Sequence, residues 1–262
     1  MQPWLEQMCD LSSSPEAIAD LAGRIVEMLR EHPHFVILKG NSDPEDWRPI
    51  EQLARTIINL APVKSGQIYK VADKIDITRV EINAKKAAQS DGQASGTRYS
   101  RTNHPLSLHT DRPQMTKPYE LVVMQYVRVD ARGGDSLIAP IEDVISSLDD
   151  STKQILKQPS FPFGHGPRPV IWDRHGQPNI RYYRANLDKA RQKDDRLTER
   201  DLDALEVLDG VLHRDDILFR FHADAGETVF LHNTKALHGR TGFSADSDRL
   251  MYRMRANAGC LS

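Results

Sequence analysis

The apolar positions in the first third of the chain follow two helical patterns separated by a strand-like run. Ser13 and Ser14 precede Pro15, a combination that is typical of a helix start. Apolar residues then recur at helical spacing: Ile18, Leu21, Ala22, Ile25, Val26 and Leu29. The run FVILK at 35–39 predicts a buried strand. A second helical stripe follows: Ile50, Leu53, Ala54, Ile57 and Ile58.

Strand-like segments dominate the chain from position 119 onward. Runs rich in β-branched and aromatic residues, bounded by turn residues, predict strands. These runs are YELVVMQYVRV (119–129), GGDSLIAP (133–140), DILFRF (216–221), ETVFLH (227–232) and RLMYRMRAN (249–257). Helical patterns interrupt them at Asp143–Leu156 and again after Thr198, where four leucines share one face. The chain therefore predicts an all-β core with helical decoration.

A long polar segment, Ala84–Asn103, lies between these two parts of the chain. It has few large apolar residues, so it cannot bury much surface. One interpretation is a disordered surface loop. The other is a mobile lid over a functional site, which its position just before His109 favours.

Length, charge and cysteine usage exclude several classes of protein. The chain has 262 residues, 35 basic and 37 acidic, with no basic block of the kind that binds nucleic acid. No run approaches the ~18 apolar residues of a membrane-spanning helix, and the first residues do not form a signal-peptide pattern. Cys9 and Cys260 lie at opposite ends and make no disulfide framework, so we expect a reducing, cytoplasmic environment. The oligomeric state cannot be read from these features.

Candidate chemistry is concentrated in the segment SLHTDRPQM at 107–115. On an extended chain His109 and Asp111 point to the same face, so they could be two metal ligands or an ordinary His–Asp contact. His238 lies 129 residues later, at the end of a predicted strand. Two histidines and one carboxylate are the ligand set that leaves open positions on non-haem Fe(II). The nearby His232 is the alternative distal ligand.

Two arginines follow on the last predicted strand. Strand periodicity puts Arg249, Met251 and Arg253 on one face. The face could be an exposed basic surface. Alternatively, the arginines could meet anions near a metal, since the planar guanidinium binds a carboxylate through two parallel hydrogen bonds.

Four motifs together resemble the Fe(II)/2-oxoglutarate-dependent dioxygenases of the taurine dioxygenase and clavaminate synthase-like superfamily. They are SLHTDRP, GGDSLIAP, LHNTKALHGRTGF and RLMYRMR, and their order and spacing match from about Pro105 to Ala256. The pair His232-Asn233 departs from the more usual Asp-Asn before the distal motif. The departure leaves the three metal-ligand positions intact.

The resemblance implies a role for each matching residue. His109, Asp111 and His238 match the iron ligands. Arg249 matches the arginine that binds the distal carboxylate of 2-oxoglutarate, and the hydroxyl of Ser136 could bind the same group. Arg253 matches a position that can bind an anionic group of the primary substrate.

The segment IRYYRANLD at 180–188 is a further candidate for substrate contact, independent of the resemblance. It could supply Tyr182, Tyr183 and Arg184 to a pocket wall, or it could be an ordinary strand with aromatic packing.

The resemblance also implies the fold and its division. It implies a double-stranded β-helix, or jelly roll, flanked by α-helices within a single catalytic domain, 1–262. The helical and strand part would occupy about 1–83, the candidate lid 84–103, and the jelly-roll core with a helical insertion about 104–262. His109 and Asp111 would come from one side of the barrel and His238 from the other.

The implied activity is an oxygenase that uses Fe(II), 2-oxoglutarate and O2 on a small, anionic molecule. Amino acids and their derivatives are the first choice of substrate and sulfonates the second, because Arg253 favours an anion. Hydroxylation is the default outcome, since Asp111 fills the position that a halogenating relative leaves open; desaturation or cyclisation stays possible. Two other classes stay open: a metal-dependent hydrolase, which leaves Arg249 and Arg253 without a task, and a noncatalytic jelly-roll binding domain.

Overall fold

The structure, a computed structural model, is built around two β-sheets. It describes residues 4–5, 14–40, 43–60, 75–82, 101–164, 166–192 and 197–261. The strands of the first half are β1 (Trp4–Leu5), β2 (Phe35–Leu38), β3 (Asp76–Glu81), β4 (Leu106–His109), β5 (Leu121–Arg128) and β6 (Ser136–Pro140). Those of the second half are β7 (Phe161–Pro162), β8 (Pro167–Arg168), β9 (Ile171–Arg174), β10 (Gln177–Ile180), β11 (Phe219–Phe221), β12 (Thr228–His232), β13 (Ala236–Arg240) and β14 (Leu250–Ala256).

Helices accompany both halves of the chain. They are α1 (Pro15–Arg30), α2 (Arg48–Asn59), α3 (Ile141–Ser146), α4 (Asp150–Leu156), α5 (Arg184–Arg191) and α6 (Glu199–Leu212), followed by a 3-10 turn at Gly259–Leu261. Two helix starts, those of α1 and α6, follow the capping pattern of the sequence. The side chain of Ser14 accepts a hydrogen bond from the amide of Ala17, and Thr198 forms a capping box with Asp201.

The larger sheet has the strand order β1-β2-β12-β5-β14-β3, and the smaller sheet has the order β11-β6-β13-β4. All neighbouring strands are antiparallel except β1 and β2. Side chains from both sheets, including Phe35, Val122, Ile138 and Met251, form one buried cluster between them. This two-sheet arrangement with an apolar interior is the expected jelly roll.

The first two helices cover the outer face of the larger sheet. Their apolar stripes pack against Val36, Val123, Phe230 and Met254. Strand β2 is therefore buried on both faces, because Phe35 points between the sheets while Val36 points to the helices. This double burial explains the continuous apolar run FVILK.

Residues between β6 and β11 form an insertion that shares an apolar core with Leu108, Ala139 and Leu237 of the smaller sheet. Helices α3 to α6 and the hairpins β7-β8 and β9-β10 surround a core that includes Phe161, Ile180 and Leu205. The helix predicted at Asp143–Leu156 is two helices, α3 and α4. The break is at Ser147–Asp149, where the Asp149 side chain accepts a hydrogen bond from the amide of Thr152 and starts a new helix.

Two further expectations need correction. The segment at 180–188 is not one strand, because β10 ends at Ile180 and α5 begins at Arg184. His238 is in the middle of β13 and not at a strand end. The candidate lid at 84–103 lies outside the described residues except for 101–103. None of the described helices is long and apolar enough to span a membrane.

Candidate active site

The smaller sheet brings the three predicted metal ligands together. His109 ends β4 and is the cross-strand partner of His238 on β13, while Asp111 follows β4 by two residues. One ligand atom from each of the three side chains lies within 4.8 Å of the others. All three residues are 5% exposed. A cluster of two imidazoles and one carboxylate at this spacing fits a divalent iron ion.

Close contact between β4 and β13 depends on Gly239. A Cβ atom at this position would lie 2.7 Å from the backbone oxygen of Leu106, which is closer than real side chains come. The register also shifts between His238 and Arg240. Glycine therefore lets the two histidine-bearing strands approach, and the irregular register next to His238 is typical of strands at active sites.

Asn233 fixes the backbone that carries Asp111. Its Oδ1 accepts a hydrogen bond from the amide of Asp111 at 2.8 Å, and its Nδ2 donates to the carbonyl of the same residue at 3.1 Å and to that of Tyr119 at 2.9 Å. The preceding residue, His232, points away from the cluster and bonds the carbonyl of Leu261 at 2.9 Å. The structure therefore does not support His232 as the distal ligand.

Hydrogen bonding leaves the ligand atoms available. Nδ1 of His109 lies 2.9 Å from the carbonyl oxygen of Ser107, so Nδ1 donates the proton and Nε2 is the free atom. Nδ1 of His238 and Oδ2 of Asp111 are buried, and none of the described residues offers them a hydrogen-bond partner. Buried polar atoms without a partner are costly, and a metal ion would satisfy them.

The electrostatics of the cluster favour metal binding. Burial lowers the pKa of His109, and burial together with the neighbouring His109 lowers that of His238 to about 3. Burial opposes ionisation of Asp111, but the charge of Arg253 and then the two histidines lower its pKa below the usual range. Neutral imidazoles and an ionised carboxylate are the forms that bind a cation.

Two arginines of β14 contact the Asp111 carboxylate. Nη1 of Arg253 is 3.3 Å from Oδ1, and Nη1 of Arg255 is 3.8 Å from the same atom. Arg255 also reaches Asp76 at 3.1 Å and Thr78 at 2.9 Å. We did not predict Arg255 from the sequence, although the alternation in RMR at 253–255 puts it on the same strand face as Arg253.

A small cavity next to His238 contains the residues expected to bind 2-oxoglutarate. Its lining residues are Val80, Leu106, Met124, Tyr126, Ser136, His238, Gly239, Arg240, Arg249, Met251 and Arg253. The guanidinium of Arg249 lies 5.6 Å from the ring centre of Tyr126 and 5.3 Å from that of Phe243. Among the described residues, Arg249 forms no ion pair with a carboxylate, and its Nη2 meets only the sulfur of Met251, at 3.6 Å.

The hydroxyl of Tyr126 lies 2.6 Å from Oγ of Ser136. Ser136 is thus paired with a second hydroxyl beside the Arg249 guanidinium. The resulting arrangement presents a buried cation, about 6% exposed, and two hydroxyl groups to one cavity. These groups match the requirements of a carboxylate. The sequence alone did not identify Tyr126, because its partner Ser136 lies on the other sheet.

The residues of the 180–188 segment that were expected to contact the substrate have different partners in the structure. The hydroxyl of Tyr182 donates a hydrogen bond to Asp209, and Arg184 pairs with Asp188 at 2.9 Å, with Glu206 at 2.6 Å and with Asp209. The Arg184 side chain therefore joins α5 to α6, and the Tyr182 side chain joins the residues before α5 to α6. Tyr183 is the aromatic residue at the cluster, with its ring centre 5.2 Å from that of His109.

Comparisons with known proteins agree with this geometry. No curated protein sequence matches the chain. Asparagine oxygenase, in complex with Fe(II), 2S,3S-3-hydroxyasparagine and succinate, has a similar structure, with a TM-score of 0.69 and 18% identity over 92% of this chain and 80% of that chain. The non-haem iron oxygenase OrfP, in complex with Fe, succinate and (3S)-hydroxy-L-Arg, has a TM-score of 0.64 and 16% identity over 95% of this chain and 83% of that one.

The family comparison covers almost the whole chain. Residues 3–255 match the model of the family described as taurine catabolism dioxygenase TauD, TfdA family. This span includes the His-Asp-His cluster, the arginines of β14 and both sheets. The chain therefore belongs to the TauD, TfdA family and is a non-haem Fe(II)/2-oxoglutarate-dependent dioxygenase with a double-stranded β-helix fold.

Proposed function

We propose that the protein hydroxylates a small, anionic amino acid or amino-acid derivative and releases succinate and CO2. The observation that carries the proposal is the position of Arg249 and Arg253. Both line the cavity that His238 also lines, so one cavity offers an anion site for the cosubstrate and another for the substrate beside the metal cluster.

Each group of residues has an assigned task. We assign iron to His109, Asp111 and His238, where it would supply O2 activation and the oxidation of a C–H bond, coupled to decarboxylation of 2-oxoglutarate. Arg249 binds the distal carboxylate of 2-oxoglutarate through its guanidinium, and Ser136 donates a hydrogen bond to the same group. Arg249 supports this assignment because it is buried, pairs with no carboxylate among the described residues and donates from Nη2 only to the sulfur of Met251.

We assign the anionic group of the substrate to Arg253. Arg253 is 8% exposed, its guanidinium contacts Asp111, and it lines the cavity, so a carboxylate bound there places the rest of the substrate next to the metal. A dry site strengthens such a charge-assisted pair. Amino-acid substrates are supported by the hydroxylated amino acids bound to asparagine oxygenase and OrfP.

The alternative functions and substrates that the sequence left open are supported to different degrees. Membership of a dioxygenase family argues against the hydrolase and the noncatalytic binding domain. A sulfonate is the second candidate substrate, because the family description refers to taurine and a guanidinium binds sulfonates as well as carboxylates. Desaturation or cyclisation would use the same residues. We place the protein in the cytoplasm, which the free, buried thiol of Cys260 supports.

The test is a substrate panel with purified protein, Fe(II), ascorbate and 2-oxoglutarate. Free amino acids, N-acyl amino acids and aminosulfonates are compared for stimulated succinate formation and for a product that has gained one oxygen atom. We expect one amino-acid group to stimulate both together. If only sulfonates stimulate succinate formation, a sulfonate replaces the amino acid as the assigned substrate. If amino acids of every charge type fail to stimulate succinate formation, the amino-acid assignment is rejected.

A further inference from the structure

A buried arginine outside the metal cluster has unused donors. Arg181 is 4% exposed, and its guanidinium lies 5.7 Å from the ring centre of Phe163 and 5.3 Å from that of Trp172. Its Nη2 donates to the carbonyl oxygen of Thr116 at 3.1 Å. Its Nε and Nη1 are buried and have no hydrogen-bond partner among the residues that the structure describes. Contacts with two aromatic rings partly offset the burial of the charge, but they leave these two donors without an acceptor.

A second arginine, Arg168, contacts the same threonine, Thr116, as Arg181. Nη2 of Arg168 lies 3.4 Å from the hydroxyl oxygen of Thr116, and its Nε is buried without a partner in the described part of the chain. Arg168 and Arg181 thus place two like charges at the carbonyl and the hydroxyl of one threonine. The two like charges therefore repel each other, and an anion between them would relieve this repulsion.

Among the described residues, neither arginine pairs with a carboxylate. Burial and the charge of Arg168 lower the pKa of Arg181 to about 10, so the group still carries its charge at neutral pH. Arg184, in the same insertion, shows the contrast, because it pairs with three carboxylates. Two arginines with three buried donors and no acidic partner have the composition of an anion-binding site.

Neighbouring residues connect the pair to the surroundings of the metal cluster. Thr116 is in the segment that follows Asp111, before β5. The residue after Arg181, Tyr182, exchanges two hydrogen bonds with Thr110: the Thr110 amide donates to its carbonyl at 2.8 Å, and its amide donates to the Thr110 hydroxyl at 3.2 Å. The next residue, Tyr183, packs against His109.

We infer that Arg168 and Arg181 form an oxyanion site for the substrate in addition to Arg253, and that this site binds a further carboxylate of the substrate. This inference rests on the proposed function for its link to catalysis, while the binding site itself stands on the geometry alone. A substrate with one carboxylate at Arg253 and another at Arg168 and Arg181 is an acidic amino acid or a carboxylated amino-acid derivative. The substrate class therefore differs from the hydroxyasparagine and hydroxyarginine bound to the similar structures.

The first experiment tests the site without turnover. Sulfate binding is measured by calorimetry on anaerobic protein loaded with Fe(II) and saturating 2-oxoglutarate, in the Arg253→Gln background that removes the other substrate anion site. We expect one saturable sulfate site, weakened at least tenfold by Arg168→Gln and also by Arg181→Lys, which retains the charge but loses the planar fork. The control is Arg214→Gln, an exposed arginine paired with Asp216, which leaves sulfate binding unchanged.

The result that overturns the site is equal sulfate affinity with and without Arg168→Gln, or no saturable binding at all. Arg168 is partly exposed, so this variant is expected to fold even where a change at Arg181 disturbs packing. Far-UV circular dichroism of each variant checks folding.

The second experiment distinguishes a substrate site from a site for free anions. Aspartate is compared with asparagine, and glutamate with glutamine, both as free and as N-acyl amino acids, for stimulated succinate formation. For the wild-type protein, we expect kcat/KM for the acidic amino acid to exceed that for its amide at least tenfold. We expect Arg168→Gln to lower kcat/KM for the acidic amino acid only, so that the two values differ by no more than a few fold. Equal use of acid and amide, with sulfate binding intact, would assign the site to free anions and overturn the substrate role. Failure of all amino acids would count against the proposed function and leave the sulfate result standing.

Discussion

Nη1 of Arg253 lies 3.3 Å from Oδ1 of Asp111, and both side chains are more than nine-tenths buried. The residue assigned to the substrate's anion therefore touches a residue assigned to the metal. The contact is to one carboxylate oxygen only, because Oδ2 of Asp111 has no protein partner. Arg253 can thus orient Asp111 and leave one oxygen for the metal.

The three assigned ligands should be required for iron binding. His238→Ala removes one of two imidazoles, and we expect it to reduce the iron content of the purified protein severely and to abolish succinate formation. The control is His222→Ala, an exposed histidine paired with Asp135. Metal analysis and turnover are measured on the same preparations. Normal iron content in His238→Ala would show that the distal ligand lies elsewhere.

Arg249 and Arg253, the two arginines discussed above that line the cavity, should each affect the binding of a different ligand. Losing a charge-assisted pair in a dry site costs ~2–5 kcal/mol, or roughly thirtyfold to several thousandfold in affinity. We expect Arg249→Gln to raise mainly the apparent KM for 2-oxoglutarate. We expect Arg253→Gln to raise that for the primary substrate and to change 2-oxoglutarate binding by no more than a few fold. An Arg253→Gln enzyme weakened only toward 2-oxoglutarate would remove the main support for an anionic substrate.

We expect Tyr126 to contribute to the binding of 2-oxoglutarate at its distal carboxylate. Its hydroxyl pairs with Ser136 and its ring packs against Arg249, so Tyr126→Phe should raise KM for 2-oxoglutarate about three- to tenfold, the loss typical of one hydrogen bond. With 2-oxobutyrate, which lacks the distal carboxylate, wild type and variant should be equal. Tyr252→Phe, a change on the neighbouring strand where the ring packs against Trp47, is the matched control. Equal losses with both oxo acids would indicate a general structural defect.

The buried His232 should make stability depend on pH. Burial lowers its pKa to about 3 in the folded protein, whereas the unfolded chain has the ordinary value near 6.5. As pH falls below about 6.5, the unfolded state takes up a proton that the folded state refuses, so the free energy of unfolding decreases by about 1.4 kcal/mol per pH unit until the pH approaches 3.

We therefore expect His232→Gln to reduce the pH dependence of stability. Urea unfolding of metal-free protein at pH 7 and pH 5 should give a wild-type loss that exceeds the variant's by about 2 kcal/mol. Identical losses in the two proteins would mean that His232 is protonated in the folded state.

Gly239→Ala should disturb the metal site through the backbone. The new Cβ would meet the oxygen of Leu106 at 2.7 Å, so β13 must move away from β4. Overpacking of this kind costs about 1–3 kcal/mol, and here it also separates His238 from His109. We expect lower thermal stability together with weaker iron binding. The control is Gly210→Ala in α6, where the added Cβ meets no neighbouring atom within 4 Å.

Local pattern was sufficient for much of the fold. Capping residues and apolar spacing predicted α1, α2 and α6, and alternating or continuous apolar runs predicted the main strands of both sheets. Spacing alone gave weak support for the metal ligands, and the four-motif resemblance made that prediction specific. The cluster His109, Asp111 and His238 confirms that these residues come together.

The parts that were missed depend on contacts between distant segments. The pairing of Tyr126 with Ser136 joins the two sheets, and the convergence of Arg168 and Arg181 on Thr116 joins three loops or strand ends. No periodicity within one segment encodes either contact. Tyr182 was expected at the pocket wall, but local sequence could not show that Asp209 of a later helix accepts its hydroxyl hydrogen bond.

The insertion leaves the jelly roll after β6 and returns at β11, and these two strands are direct neighbours in the smaller sheet. The chain thus departs and re-enters at one edge of the sheet, while the metal ligands lie on β13 and on and just beyond β4. Length and sequence between Ile141 and Leu218 can consequently diverge without altering the spacing of the catalytic strands. Contacts with the jelly roll constrain such divergence: Thr110 and Tyr182 exchange two hydrogen bonds, and Thr234 and Lys235, just before β13, donate to Asn179 and to the carbonyl of Pro178. For protein engineers, a grafted insertion that carries a redesigned version of the proposed Arg168 and Arg181 site must therefore keep these contacts with the scaffold.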